Sequence, residues 1–317
     1  MGHRLRRAVA AAALLLLITA GCGDDDPVGG VGGEAGAELG TGGTLVYALA
    51  ATPRQIDPLL AEARADQIVT RQVHEPLVER LRGPFAEARG ERGLARSWRP
   101  SSNHEIWRFV LRRPVHFQDG TPFNAAAVLA NVERWRSLDA GRELLPELVA
   151  ADAPRPDLVR FILSRPVPDL PRRLASPRLG IVSPAALSGR GARLVPTERS
   201  GTGPFELRER ERARVVLARN VGWWGSRADL GPALDQVELR VVPTDPERLA
   251  LLRDGAVQVA DSLPPAAVGE IRGDPLLTFV GGSGRDVLGV ERSVRGIDSA
   301  SAIESLSEVW QTTVGSE

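Results

Sequence analysis

The chain of 317 residues carries forty basic side chains, all arginine, against forty acidic ones, so its formal net charge is zero. That balance leaves no basic field for nucleic acid, and arginine without lysine reads as coding bias, not as recognition chemistry. A single cysteine excludes a disulfide scaffold, while about 270 residues beyond the N-terminal segment can bury a core without one.

Residues 1–22 read as a signal peptide. Arg4, Arg6 and Arg7 precede the apolar run Ala8 to Ala20, which is shorter than the ~20 residues of a spanning helix. Thr19-Ala20-Gly21-Cys22 is similar to a bacterial lipobox, with Thr19 where leucine is usual. Acylation of Cys22 would tether the chain to the extracytoplasmic face of the cell membrane. The competing reading is an ordinary secretory signal with an incidental cysteine. Residues 23–43, rich in glycine and opening on Asp24-Asp25-Asp26, read as a flexible linker.

The first strand is expected over Thr44 to Ala50, followed by the loop Ala51 to Pro58 and a helix from about Glu62 to Val73 that Pro76 limits. From Glu105 the apolar Trp107, Phe109 and Leu111 alternate with Arg108, Val110 and Arg112, the period of a strand with one face on a core. Pro114 ends it. Asp119-Gly120 supplies a turn, and Asn124 is the expected N-cap for a helix bearing Val128, Val132 and Trp135 on one face. Further strands are expected at Leu158 to Leu163, Ala213 to Ala218 and Gln236 to Val242, with helices at Pro246 to Leu252 and Pro264 to Ile271.

The order of residue types over Trp107 to Phe123 resembles the extracellular solute-binding proteins of family 5, which serve oligopeptide, dipeptide and nickel ABC importers and read approximately W-x-F-x-L-R-x-x-V-x-F-x-D-G-x-P-F here. Other blocks follow in the family's order: His74-Glu75-Pro76-Leu77-Val78, Leu94 to Trp98, Gly201-Thr202-Gly203-Pro204-Phe205, Asn220 with Trp223-Trp224-Gly225, and Arg248 to Asp261. The resemblance implies an α/β fold: a periplasmic-binding-protein-like class II lobe with a mixed sheet built from discontinuous segments, plus a small accessory α+β domain. On that reading residues 44–74 and 196–317 form the main lobe and 75–195 the accessory domain. The family's second main lobe, inserted after the strand that ends in Asp261, has no counterpart. A turn at Gly281-Gly282-Ser283-Gly284 stands at that junction, and the segment after Val287 should return to the main lobe as a strand.

The resemblance further implies a non-catalytic, monomeric substrate-binding component of an ABC importer for peptides or similar small solutes, with permease and ATPase subunits as partners and no cofactor. The alternative is a lipoprotein interaction or assembly module that keeps the lobe and has lost ligand binding. Candidate ligand contacts on the retained side are Thr52, Gln55 and Asp57 in the first loop and Trp223 after Asn220, each of which could equally be a loop cap or a packed aromatic. An enzyme finds little support. His3, His74, His104 and His116 are scattered, His74-Glu75 lacks the second histidine of a zinc helix, and His116 with Asp119 offers too few ligands for a metal. No Gly-x-Ser-x-Gly elbow or cysteine nucleophile is present.

Overall fold

β1 (Thr44–Leu49) forms where the first strand is expected, and both of its faces are apolar. Leu45, Tyr47 and Leu49 join one buried cluster, while Val46 and Ala48 join another. This is the pattern of a strand covered on both sides of its sheet. The computed structural model describes residues 42–79, 93–188, 193–194, 199–228, 232, 234–280 and 287–291. Cys22 and the signal segment, the linker up to residue 41, the 281–284 turn and the chain after 291 lie outside these residues.

A 3-10 turn (Pro58–Leu60) and α1 (Arg64–Val73) follow β1. The next region holds β2 (Ala95–Pro100), β3 (Ile106–Leu111), α2 (Ala125–Ser137), α3 (Asp139–Leu144), β4 (Leu148–Arg155), β5 (Leu158–Leu163) and α4 (Leu170–Arg173). The short pair β6 (Leu187–Ser188) and β7 (Arg193–Leu194) closes it. The chain then forms β8 (Phe205–Arg210), β9 (Arg214–Arg219), β10 (Gln236–Val241), α5 (Asp245–Arg253), β11 (Val259–Leu263), α6 (Ala267–Gly273), β12 (Leu277–Val280) and β13 (Val287–Glu291).

Two main sheets result. The larger has the order β12-β13-β11-β1-β10-β9-β8, with β1 parallel to both β10 and β11 and the outer pairings antiparallel. α1 lays Ile68, Val69 and Val73 on one face, and α5 and α6 lay Leu249, Leu252 and Ile271 on the other. The smaller sheet is antiparallel, order β2-β3-β5-β4. Its inner face carries Trp107, Phe109, Leu111, Val159 and Phe161 against Val128, Val132 and Trp135 of α2. The Asn124 side chain accepts from Ala127 N at 3.1 Å, so the helix starts at the expected cap.

β2 and β4, the edge strands of the smaller sheet, carry no clean alternation: β2 exposes most of its residues and β4 holds three Ala, one Asp and a Pro. Both owe their strand form to pairing with β3 and β5, a tertiary effect on weak local preference.

Candidate functional site

The loops after β1 and β10 leave toward opposite faces of the larger sheet, because α1 and α5 lie on opposite faces. In open α/β sheets such a switch point opens a crevice beyond the carboxyl ends of the parallel strands. The rim here is the 51–57 loop, the β8–β9 hairpin turn and the segment after β10. They are stitched together: Thr52 Oγ1 donates to Arg212 O at 3.0 Å, Arg210 Nη2 donates to Arg54 O, and Val242 N to Leu49 O at 2.8 Å.

At the same end β11 parts from β1. Their pairing runs only through Tyr47–Val259 and Ala48–Ala260, and the register of β11 with β13 shifts between Ala260 and Leu263. Within the shift Ser262 has φ 52°, a conformation a non-glycine residue adopts only when its surroundings hold it there. Arg248, buried on α5, holds this bend by donating to Asp261 O (2.8 Å), Ser262 O (2.9 Å) and Val242 O (2.7 Å). From the opposite face Arg64 Nε donates to the buried Asp261 carboxylate at 2.7 Å. The fully buried Tyr47 hydroxyl stands beside this pair, and burial, then the Asp261 charge, pushes its pKa well up, so the phenol stays protonated.

The four expected contact residues are tied to different parts of the structure. Thr52 is half-buried on the hairpin turn. Gln55 is half-buried, and its backbone N–H, with that of Arg54, donates to Asp66 in the first turn of α1 (3.0 and 2.5 Å). Asp57 turns inward. It caps the 3-10 turn through Leu59 N at 3.1 Å and pairs with Arg134 of α2, which is 1% exposed. Burial raises the Asp57 pKa, against the opposing pull of Arg134. Trp223 donates to Glu75 Oε1 at 3.2 Å, beyond the C-terminal end of α1. Ten helical residues span about 15 Å, so Gln55 and Trp223 are anchored at opposite ends of the helix.

That second end is the joint between the two sheets. Glu75 is buried, and its carboxyl accepts from both indoles, Trp224 Nε1 lying 2.9 Å from Oε2, while the Arg112 guanidinium sits 4.0 Å over the Trp224 ring. Burial, only partly offset by these donors, lifts its pKa to about 8. His74, also buried, has Nε2 2.9 Å from Ser200 Oγ, and burial lowers its pKa to about 4, so it is neutral. This serine–histidine pair is sealed inside the protein, with Ser200 only 1% exposed.

The Gly201 to Phe205 segment passes directly against the end of α1. A Cβ on Gly201 would stand 1.8 Å from Val73 O, and one on Gly203 2.4 Å from Gln72 O. Gln118 reaches across from the accessory side, its backbone N donating to Gly201 O at 2.8 Å and its Nε2 to Phe205 O at 2.8 Å. Asn220 Nδ2 adds a bond to Gly203 O at 2.9 Å. Gln118, Arg134, Asp261 and Arg248 hold structural tasks that no short motif marks. The available signal was polar residues embedded in apolar periodicity, such as Arg134 beside Trp135.

The residues that build this joint belong to the blocks that carry the family resemblance. Residues 91–292 match the profile of the Bacterial extracellular solute-binding proteins, family 5 Middle. The chain belongs to this family. Among curated family 5 proteins it is 30% identical over 227 residues to the Probable D,D-dipeptide-binding periplasmic protein DdpA of Escherichia coli K12, covering 69% of this chain and 43% of that one. It is also 30% identical over 226 residues to the glutathione-binding protein GsiB of E. coli O6:K15:H31, covering 69% and 42%. Of solved structures, the binding protein AgaA from A. tumefaciens R10, in complex with agropinic acid, superposes with a TM-score of 0.67 at 25% identity, covering 75% of this chain and 48% of that one. A substrate-binding protein of a Sinorhizobium meliloti ABC transporter gives 0.65 at 26% identity, covering 75% and 48%. NikA from Brucella suis gives 0.65 at 24%, covering 75% and 48%, a likeness of fold. The chain thus spans less than half the length of the curated relatives it matches.

Proposed function

We propose that this family 5 chain is the substrate-binding component of an ABC importer for peptides or similar small solutes, acting without catalysis and docking as a monomer on permease and ATPase subunits. The observation that carries the reading is the switch point beyond β1, with a fixed, bent exit at Ser262 and half-buried Thr52 and Gln55 in the loop beside it. Closure of a second wall over such a crevice is how a binding protein surrounds a small ligand. Thr52 and Gln55 offer a hydroxyl and an amide to the solute. Asp57 and Trp223 act behind them, Asp57 by holding the loop through Arg134 and Trp223 by bracing the joint through Glu75. Residues 44–74 and 196–317 act as the main lobe and 75–195 as the accessory domain. Acylation of Cys22 keeps the protein at the extracytoplasmic face of the membrane.

The test is a thermal-shift series on the purified protein with dipeptide and oligopeptide pools and with nickel. A rise in Tm with peptides that Thr52→Val removes is the expected result. If no solute shifts Tm and a partner protein co-purifies from membranes, the chain is an interaction or assembly module instead. Cys22→Ser should release the protein from membranes, and retention would overturn the lipid anchor.

A further inference from the structure

The outer face of the four-stranded sheet carries an in-register row of charge that the crevice reading does not use. Arg99 of β2 lies opposite Arg108 of β3, Arg108 opposite Arg160 of β5, and Arg160 opposite Asp152 of β4. Directly opposed residues share a face, and neighbouring strands are ~4.8 Å apart, so three arginines occupy adjacent positions across the sheet. Asp152 answers Arg160, with Oδ1 and Oδ2 at 2.7 and 2.6 Å. Arg99 and Arg108 are exposed, and neither makes an ion pair among the described residues. Like charges directly opposite are unfavourable in a sheet unless an anion lies between them.

Rows of branched aliphatics flank the charges on the same face: Ile106 opposite Ile162 on one side, Val110 opposite Leu158 on the other. All four are half-buried, and none belongs to a hydrophobic cluster of the described residues. The inner face of the sheet, with Phe109 and Phe161, is the one that α2 covers.

We infer that this outer face docks on an anionic phospholipid surface, with Arg99 and Arg108 taking headgroup phosphates and the aliphatic rows resting at the headgroup–acyl boundary. Guanidinium forks match phosphate oxygens in pairs, and two forks in adjacent strand positions can share one phosphate, which removes their mutual repulsion. The chemistry is that of interfacial binding, charge beside apolar side chains on one flat surface. Each arginine near an anionic bilayer strengthens binding about fivefold, about thirtyfold for the two. A tether at the same membrane would make even this modest affinity effective by raising local concentration. The inference stands apart from the solute reading and survives its failure.

The test uses the secreted full chain with Cys22→Ser, so that no acyl group contributes, and Ser97→Cys on the outer face labelled with an environment-sensitive fluorophore. Ser97 is exposed and pairs with Val110. Vesicles of phosphatidylglycerol should give a blue-shifted, brighter emission that phosphatidylcholine vesicles do not. Arg99→Gln with Arg108→Gln should weaken it about thirtyfold, and ~0.5 M NaCl should largely abolish it. Arg136→Gln, an exposed arginine on α2 away from this face, should leave it unchanged. An equal signal with phosphatidylcholine, no loss in the double variant, or the same loss with Arg136→Gln would overturn the inference. So would a signal from soluble polyglutamate or inorganic phosphate with none from vesicles, which would assign the face to an acidic polypeptide or a free anion.

Discussion

The two ends of α1 make different uses of the same helix. At its C-terminal end the joint is filled: backbone passes against backbone at Gly201 and Gly203, and the side-chain N–H groups of Gln118, Asn220, Trp223 and Trp224 each donate to a neighbour. At its N-terminal end the loop beyond β1 is held mainly by bonds between side chains and backbone, and Thr52 and Gln55 stay half-buried. The family blocks concentrate at the first end. What resemblance recognises here is therefore the device that fixes two sheets to each other, while the solute contacts we propose lie at the end with fewer signature residues.

That contrast predicts large stability losses at the joint and small ones at the rim. Gly201→Ala should have the largest effect, about 5 kcal/mol or no folded protein in urea titration, because its Cβ would meet the Val73 carbonyl at 1.8 Å. Asp57→Ala strands a buried guanidinium and should cost about 3–5 kcal/mol, with Arg134→Met in the same background recovering part of it. Gln118→Ala removes the side-chain donor to Phe205 O, while Gly203 O keeps its bond from Asn220, and should cost about 1–3 kcal/mol.

Glu75→Gln sharpens the comparison through pH. The folded carboxyl titrates at about 8, above its ordinary value of 4.5, so its stabilising contribution is complete below 4.5 and is lost as pH rises through about 8. His74, lowered from 6.5 to about 4, works in the opposite sense below 6.5, where rising pH favours the folded state. The clean window is therefore pH 6.5 to 8: wild-type Tm should fall across it, and the Gln variant should be flatter. A wild-type Tm that is level there would refute the buried, protonated Glu75. Thr52→Val is the smallest expected effect, within about 0.5 kcal/mol in stability, yet it should remove the solute-induced shift. A large stability loss at Thr52 would break the division between the two ends.

Much of the fold was legible in local pattern. The period of two over Trp107 to Leu111 and the cap at Asn124 mark β3 and α2 where they occur, since each is set by neighbours in sequence. β2 and β4 were not legible, because their strand form is imposed by β3 and β5. For the candidate site, the loop containing Thr52, Gln55 and Asp57 could be found from its position after the first strand, but not that Asp57 points inward. That depends on Arg134, 77 residues further on.

The sequence by itself determined the family, the elements with a strong local pattern, such as β1, β3, α2 and β5, and the inner face of β3, because periodicity, turn residues and caps act over a few residues. Only the tertiary structure decided what the signature residues do. Gly201 lies against Val73, Glu75 between two indoles, and Arg99 beside Arg108, since each of these relations closes over distant segments and arises only when the sheets have formed.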